Sequence, residues 1–199
     1  MPRKTIKPWF IAEASAIAAI DGARTESNWE ALSVEIEKLA TARSQRAKAA
    51  HNGKKVQLIQ STEDLERQHC GGRYLVQPPL VARDAALFDN TMKSNHISSV
   101  VVCREPRTTL GLCPIVALGS GVTVRVQVEE PKNPNKPTCA WFDHAIEELG
   151  DHVLEQINNS SPTKRQLDYL IAHFSAIPTH QRVFRQAIEL CDTLSKKSV

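Results

Sequence analysis

The chain has 199 residues, 41% of them hydrophobic and 24% charged, a globular composition that excludes a disordered, fibrous or collagen-like polymer. Its net charge of +3 marks no partner by itself, so the distribution matters: cations exceed anions by four in residues 1–55, 56–130 carries one net negative charge, and 131–199 is balanced. Cys70, Cys103, Cys113, Cys139 and Cys191 are odd in number and never in a Cys-x-x-Cys pair, which argues against a disulfide framework or a common zinc module and for reduced thiols in a cytoplasmic protein.

Residues 8–21 read as a first helix, with Pro8 near its start and Gly22 just past its end. Arg3, Lys4 and Lys7 ahead of an apolar stretch resemble a signal peptide, but Glu13 interrupts the stretch. No apolar run reaches the ~18 to 20 residues a membrane span needs, so no membrane association is expected. A second helix starts at a capping box, Ser27 with Glu30, and runs to about Ala50. Trp29, Leu32, Ile36 and Leu39 make its buried stripe against helix one. Beyond Leu39 only alanines remain, which predicts a solvated helical arm.

The middle changes to the strand period of two. Residues 56–60 and 73–77 read as short strands around a short helix at 61–70, and 81–93 as another helix. Residues 97–103 read as a strand covered on both faces, because Val100, Val101 and Val102 are consecutive. The clearest element is a hairpin: 115–118, a Gly119-Ser120-Gly121 turn, then 122–129, where Val122, Val124, Val126 and Val128 alternate with polar residues. A proline-rich loop over 130–137 leads to three helices at about 140–157, 162–176 and 179–194. The expectation is an α+β fold: an N-terminal helical hairpin (1–55), a central, mainly antiparallel sheet of four to five strands (56–130) and a C-terminal three-helix segment (138–199), the last sharing one domain with the sheet or standing apart.

The strongest functional signal is the run Lys38, Arg43, Arg46, Lys48, Lys54 and Lys55, with no acidic residue between Glu37 and Glu63. Six cations on an exposed helical arm suit phosphate neutralisation, and the helix dipole accounts only for those in the last turn. The first expectation is therefore a non-catalytic protein that binds DNA or RNA through this arm. A second is an assembly subunit in which alanine-rich helix one and the exposed part of helix two pair with a protein partner or a second copy. A third follows from Glu130-Pro131-Lys132 at the end of the best strand and Glu105 after another. Carboxylates and a lysine at strand ends resemble a magnesium-dependent nuclease of the PD-(D/E)xK type, although the Pro-Asp half is missing. Residues 163–171 resemble slightly the opening helices of a winged helix-turn-helix, with no β-wing following. Cys139 with His144, and His69 with Cys70, lack a second pair at zinc spacing, so no metal or cofactor is expected. Phosphate-loop, dinucleotide-binding and nucleophile-elbow motifs are absent.

Overall fold

The computed structural model describes residues 6–197; Arg3 and Lys4 of the signal-like pattern lie outside them. Helices α1 (Pro8–Thr25) and α2 (Trp29–His51) lead into β1 (Val56–Ile59), α3 (Thr62–Glu66), β2 (Gly72–Val76), α4 (Ala82–Ser94), β3 (Ser99–Arg104), β4 (Cys113–Leu118) and β5 (Thr123–Val128). Helices α5 (Cys139–Glu155), α6 (Thr163–His173) and α7 (Gln181–Lys197) follow. The fold is α+β, with five strands in the spatial order β1-β2-β3-β4-β5. The β4–β5 hairpin and the β3–β4 pair are antiparallel, whereas β1, β2 and β3 are mutually parallel. The parallel half follows from its connections: α3 and α4 carry the chain back along the sheet, so each next strand starts at the same end. No helix of the described residues is long and apolar enough to cross a membrane.

Alternation sorts the strand side chains onto two faces. Leu75, Val100, Val102, Ile115, Val124 and Val126 join the large core beneath α1, α2, α5, α6 and α7. Tyr74, Val76, Cys103 and Val116 join a smaller core beneath α4, with Phe88 and Met92. On β5 only one face is covered, so Thr123, Arg125 and Gln127 stay in solvent. The large core draws on the N-terminal helices, the sheet and the C-terminal helices together.

Two N-terminal expectations change. Helix α1 continues through Gly22 to Thr25, and α2 is capped by Asn28, whose side chain accepts from the Ala31 amide at 3.1 Å. Ser27 has φ of +53° and serves the tight turn, where the Asn28 amide bonds the Ala23 carbonyl at 3.0 Å. A residue in that conformation lies outside the extended region that an N-cap favours.

The second half of α2 is not a solvated arm. Ala40, Ala42, Arg43, Arg46, Ala47 and Ala50 are all buried, because alanines let α2 lie close against the sheet and α7. The two arginines point inward to meet Glu13, itself buried on α1. Arg43 Nε donates to Glu13 Oε1 at 2.8 Å, and Arg46 Nε faces Glu13 Oε2 at 2.9 Å. Other guanidinium nitrogens bind the backbone: Arg43 Nη1 donates to the Phe174 carbonyl at 2.6 Å and Arg46 Nη1 to the Ser99 carbonyl at 3.4 Å, while Arg46 Nη2 donates to Glu13 Oε1 at 3.4 Å. One cluster thus ties α1, α2, β3 and the end of α6.

Burial raises the Glu13 pKa, but Arg46 and then Arg43 outweigh it and hold the carboxyl below its ordinary 4.5. A depressed carboxylate pKa contributes stability that is complete above the unfolded value and lost as pH falls through the folded one. Glu13→Gln is expected to cost about 3–5 kcal/mol by leaving two guanidinium groups buried without a counter-ion. Urea melts are expected to show that loss at pH 7 and a shrinking gap between variant and wild type below pH 4.5, the ordinary value that Glu13 lies beneath. A gap unchanged with acid would mean that Glu13 is not held as a carboxylate.

Candidate functional site

The strands β3 and β4 pair only at one end, at Cys103↔Val116 and Arg104↔Ile115. Beyond these positions they splay. The early half of β3 stays on β2, and the late half of β4 stays on β5. The end of β4 is drawn toward the turn after α6: the Ser120 amide donates to Ser175 Oγ at 2.9 Å. Gly119 permits the approach, since a Cβ there would collide with Ser175 Oγ and the Ala176 backbone.

The gap is a cleft of about 310 Å³, at the lower end of the range that holds small molecules. Val100, Val101, Val102, Val116, Ala117 and Leu118 form its strand walls, with Ala85 and Ala86 of α4 on one side and Ile146 and Leu149 of α5 on the other. Its polar groups are Ser99, Ser120, Ser175, Thr179, Asn90 and the ion pair Asp89–Lys93, 2.5 Å apart. The Ser99 Oγ is buried without a hydrogen-bond partner. The buried cluster lies behind this wall, since Arg46 Nη1 donates to the carbonyl of Ser99. Lys93 and Asp89 compensate each other, whereas the cluster sets two cations, Arg43 and Arg46, against one anion, Glu13.

A second constellation lies across α5. His180, fully buried between α6 and α7, directs Nε2 at Asp151 Oδ1 (2.9 Å) and Glu147 Oε2 (3.2 Å). Glu147 and Asp151 are one helical turn apart, which puts both on the same face. The imidazole lies on Gly150, where any Cβ would overlap the ring, and this explains a glycine inside a helix despite its cost of about 1 kcal/mol. Burial raises the pKa of Asp151, but the Arg182 guanidinium and His180 hold it below the ordinary value. Beside them a smaller cavity of about 170 Å³ is lined by Ser44, Lys48, His51, Asp143, Glu147 and Thr179. Asp143 is clamped by Arg73, whose Nε and Nη2 donate to its two oxygens at 2.9 Å each.

The residues singled out in the sequence scatter. Arg43 and Arg46 are buried and ion-paired with Glu13, so they do not face phosphates. Lys38 is exposed but paired with Glu35 at 2.6 Å. Lys48, Lys54 and Lys55 are exposed, and none is in an ion pair among the described residues. Glu105 is paired with Arg125 at 2.7 Å and Glu130 with Arg107. Lys132 is exposed in the following loop, and neither glutamate belongs to a three-ligand group among the described residues. Burial pushes the Cys103 thiol up to about 12, as suits a core residue and not a nucleophile. Helix α1 buries Ala16 and Ile20 in the core with α2 and Phe10 against His96, and leaves Ile11 and Ile17 exposed. His180 carries no local sequence signal, because its partners lie about thirty residues earlier. Gly150 within an otherwise strong helical pattern was the available clue.

Comparison with protein families, curated proteins and solved structures finds no match to this chain.

The seating of His180 gives a stability test. Gly150→Ala is expected to destabilise by about 1–3 kcal/mol through overpacking against the ring. In a His180→Ala background the same change is expected to be neutral or stabilising, since alanine is the better helix former. Equal penalties in both backgrounds, read by urea denaturation, would break the assigned contact.

Proposed function

We propose that the protein binds a small molecule with an anionic head and a short apolar body in the cleft between β3 and β4. The observation that carries the reading is charge beside a cavity: the Asp89–Lys93 pair lines the cleft, and behind its Ser99 wall one carboxylate, Glu13, faces two guanidinium groups, Arg43 and Arg46, in an interior where unbalanced charge is costly. A ligand anion supplies the missing negative charge. The unpartnered Ser99 Oγ and the Lys93 ammonium are the available donors, and the valine walls receive the apolar body. Such a protein is a binding module, and no group in the cleft is assigned a chemical step.

The test is a thermal-shift and calorimetric series of carboxylates from butyrate to octanoate, with phenyl phosphate as a second head group and the matching alcohols as neutral controls. The acids are expected to raise Tm saturably and the alcohols to have little effect; at 100 times Kd the gain is about 2.7 kcal/mol. Ala86→Trp, which fills the cleft from α4, is expected to abolish the shift. Lys93→Met is expected to weaken it roughly tenfold, the worth of one charge-assisted hydrogen bond. Alcohols equal to acids would refute the anionic head, and absence of any ligand effect at millimolar concentration would refute the cleft as the binding site.

A second reading keeps nucleic acid as the partner, on the observation that Lys48, Lys54 and Lys55 are exposed and outside any ion pair. With Arg43 and Arg46 withdrawn and Lys38 paired with Glu35, three phosphate contacts remain. Three contacts give a log Kd against log salt slope of about 2.7 for duplex DNA, roughly a 40-fold weakening between 50 and 200 mM salt. Binding to labelled duplex and single-stranded DNA and RNA is expected to follow that slope and to vanish in the triple Lys→Gln variant. A slope near that of six contacts, or binding indifferent to the three lysines, would exclude this surface.

A further inference from the structure

The group formed by Glu147, Asp151 and His180 has a geometry unlike that of an ordinary surface ion pair. We infer that it is a binding site for a divalent transition-metal ion of the zinc or cobalt class, held by His180 Nε2 and one oxygen from each carboxylate. Around a tetrahedral ion with ligands at about 2.0–2.2 Å, neighbouring donor atoms lie roughly 3.3 Å apart. Here Nε2 is 2.9 Å from Asp151 and 3.2 Å from Glu147, and all three donors lie within 4.8 Å of one another. One imidazole with two carboxylates suits these ions better than magnesium, which prefers oxygen ligands and retained water.

Two observations add to the distances. First, the His180 side chain is completely buried and its ring is oriented by packing on Gly150, so Nε2 is fixed toward the carboxylates before any ion arrives. Its Nδ1 is buried without a hydrogen-bond partner. A ligating neutral imidazole carries its proton there, and the missing acceptor lowers affinity from what a supported histidine gives. Second, Glu147 also lines the 170 Å³ cavity with Ser44, Lys48 and His51, so an ion has a path from solvent to this carboxylate. Arg182, exposed and paired with Asp151, occupies the place of the cation and has to swing aside.

The experiment is titration of the full chain with Zn²⁺ by calorimetry and with Co²⁺ by its visible absorption. Cys70→Ser and Cys139→Ser are included in every sample so that accessible thiols do not compete. The expected result is one ion per chain, with the intense absorption of tetrahedral Co²⁺. Glu147→Gln, at an exposed position where folding is not at risk, is expected to weaken binding by tenfold or more, and Asp151→Asn similarly. Arg182→Ala is expected to tighten it several-fold. Glu148→Gln, one residue along and facing His144, is expected to change nothing. No one-to-one binding below 1 mM, binding equal in Glu147→Gln and wild type, or an equal loss in Glu148→Gln would each overturn the assignment. None of these outcomes depends on the cleft between β3 and β4.

Discussion

One carboxylate shared by two guanidinium groups deep in the protein sets the geometry of much of what surrounds it. Glu13 meets Arg43 and Arg46 at 2.8 and 2.9 Å, and the same arginines bind the carbonyls of Phe174 and Ser99. Charges moved out of water cost several kcal/mol each, recovered only through close pairing and complete hydrogen bonding. That requirement links α1, α2, the first residue of β3 and the residue after α6. Van der Waals packing of alanine-rich helices tolerates sliding; a fork of guanidinium donors does not. The cluster thus acts as a registration device, and it leaves one positive charge in excess.

The break in the sheet depends on those same anchors. Arg46 fixes the start of β3, Arg43 fixes the carbonyl of Phe174, and the adjoining Ser175 holds the turn after β4 through the Ser120 amide. Each side of the gap is therefore attached to the buried cluster, directly or through one neighbour. A continuous antiparallel ladder between β3 and β4 would draw Gly119 away from Ser175. Two structures compete for the end of β4, and the tertiary contact prevails over further strand pairing. The outcome places an apolar slot with a few hydroxyls beside uncompensated charge.

The legible parts of the sequence were those set by local periodicity. The alternation of Val124, Val126 and Val128 is sufficient to place β5 and its wet face, and the Gly-Ser-Gly turn to place the hairpin. Residues 29–39 read correctly as a buried helical stripe. The misread part was the continuation of that helix. Arg43 and Arg46 look solvated in a local window because their counter-ion is about thirty residues away on another helix. The parallel pairing of β1 to β3 follows from the helices between them, yet three hydrophobic strands look alike whichever way they run. The cleft was not readable, since it exists only where pairing stops, and the His180 group joins a helix face to a distant turn.

Helix α5 links the two constellations. Ile146 borders both cavities, Leu149 lines the cleft, and Glu147 and Asp151 face His180 on the same helix. Opposite them, Pro178 and Thr179 line the cleft just before His180, and Thr179 also reaches the smaller cavity. A shift of α5 or of the segment 175–180 changes both places at once, because Ile146 and Thr179 line both. Gly150 sharpens this dependence, for with the imidazole seated on bare helix backbone there is no flexible side chain between them to absorb a displacement. Closely packed contacts transmit such shifts instead of damping them. The physical basis for communication between the cleft and the histidine–carboxylate group is therefore a shared rigid wall, and its sign depends on which occupant moves that wall inward.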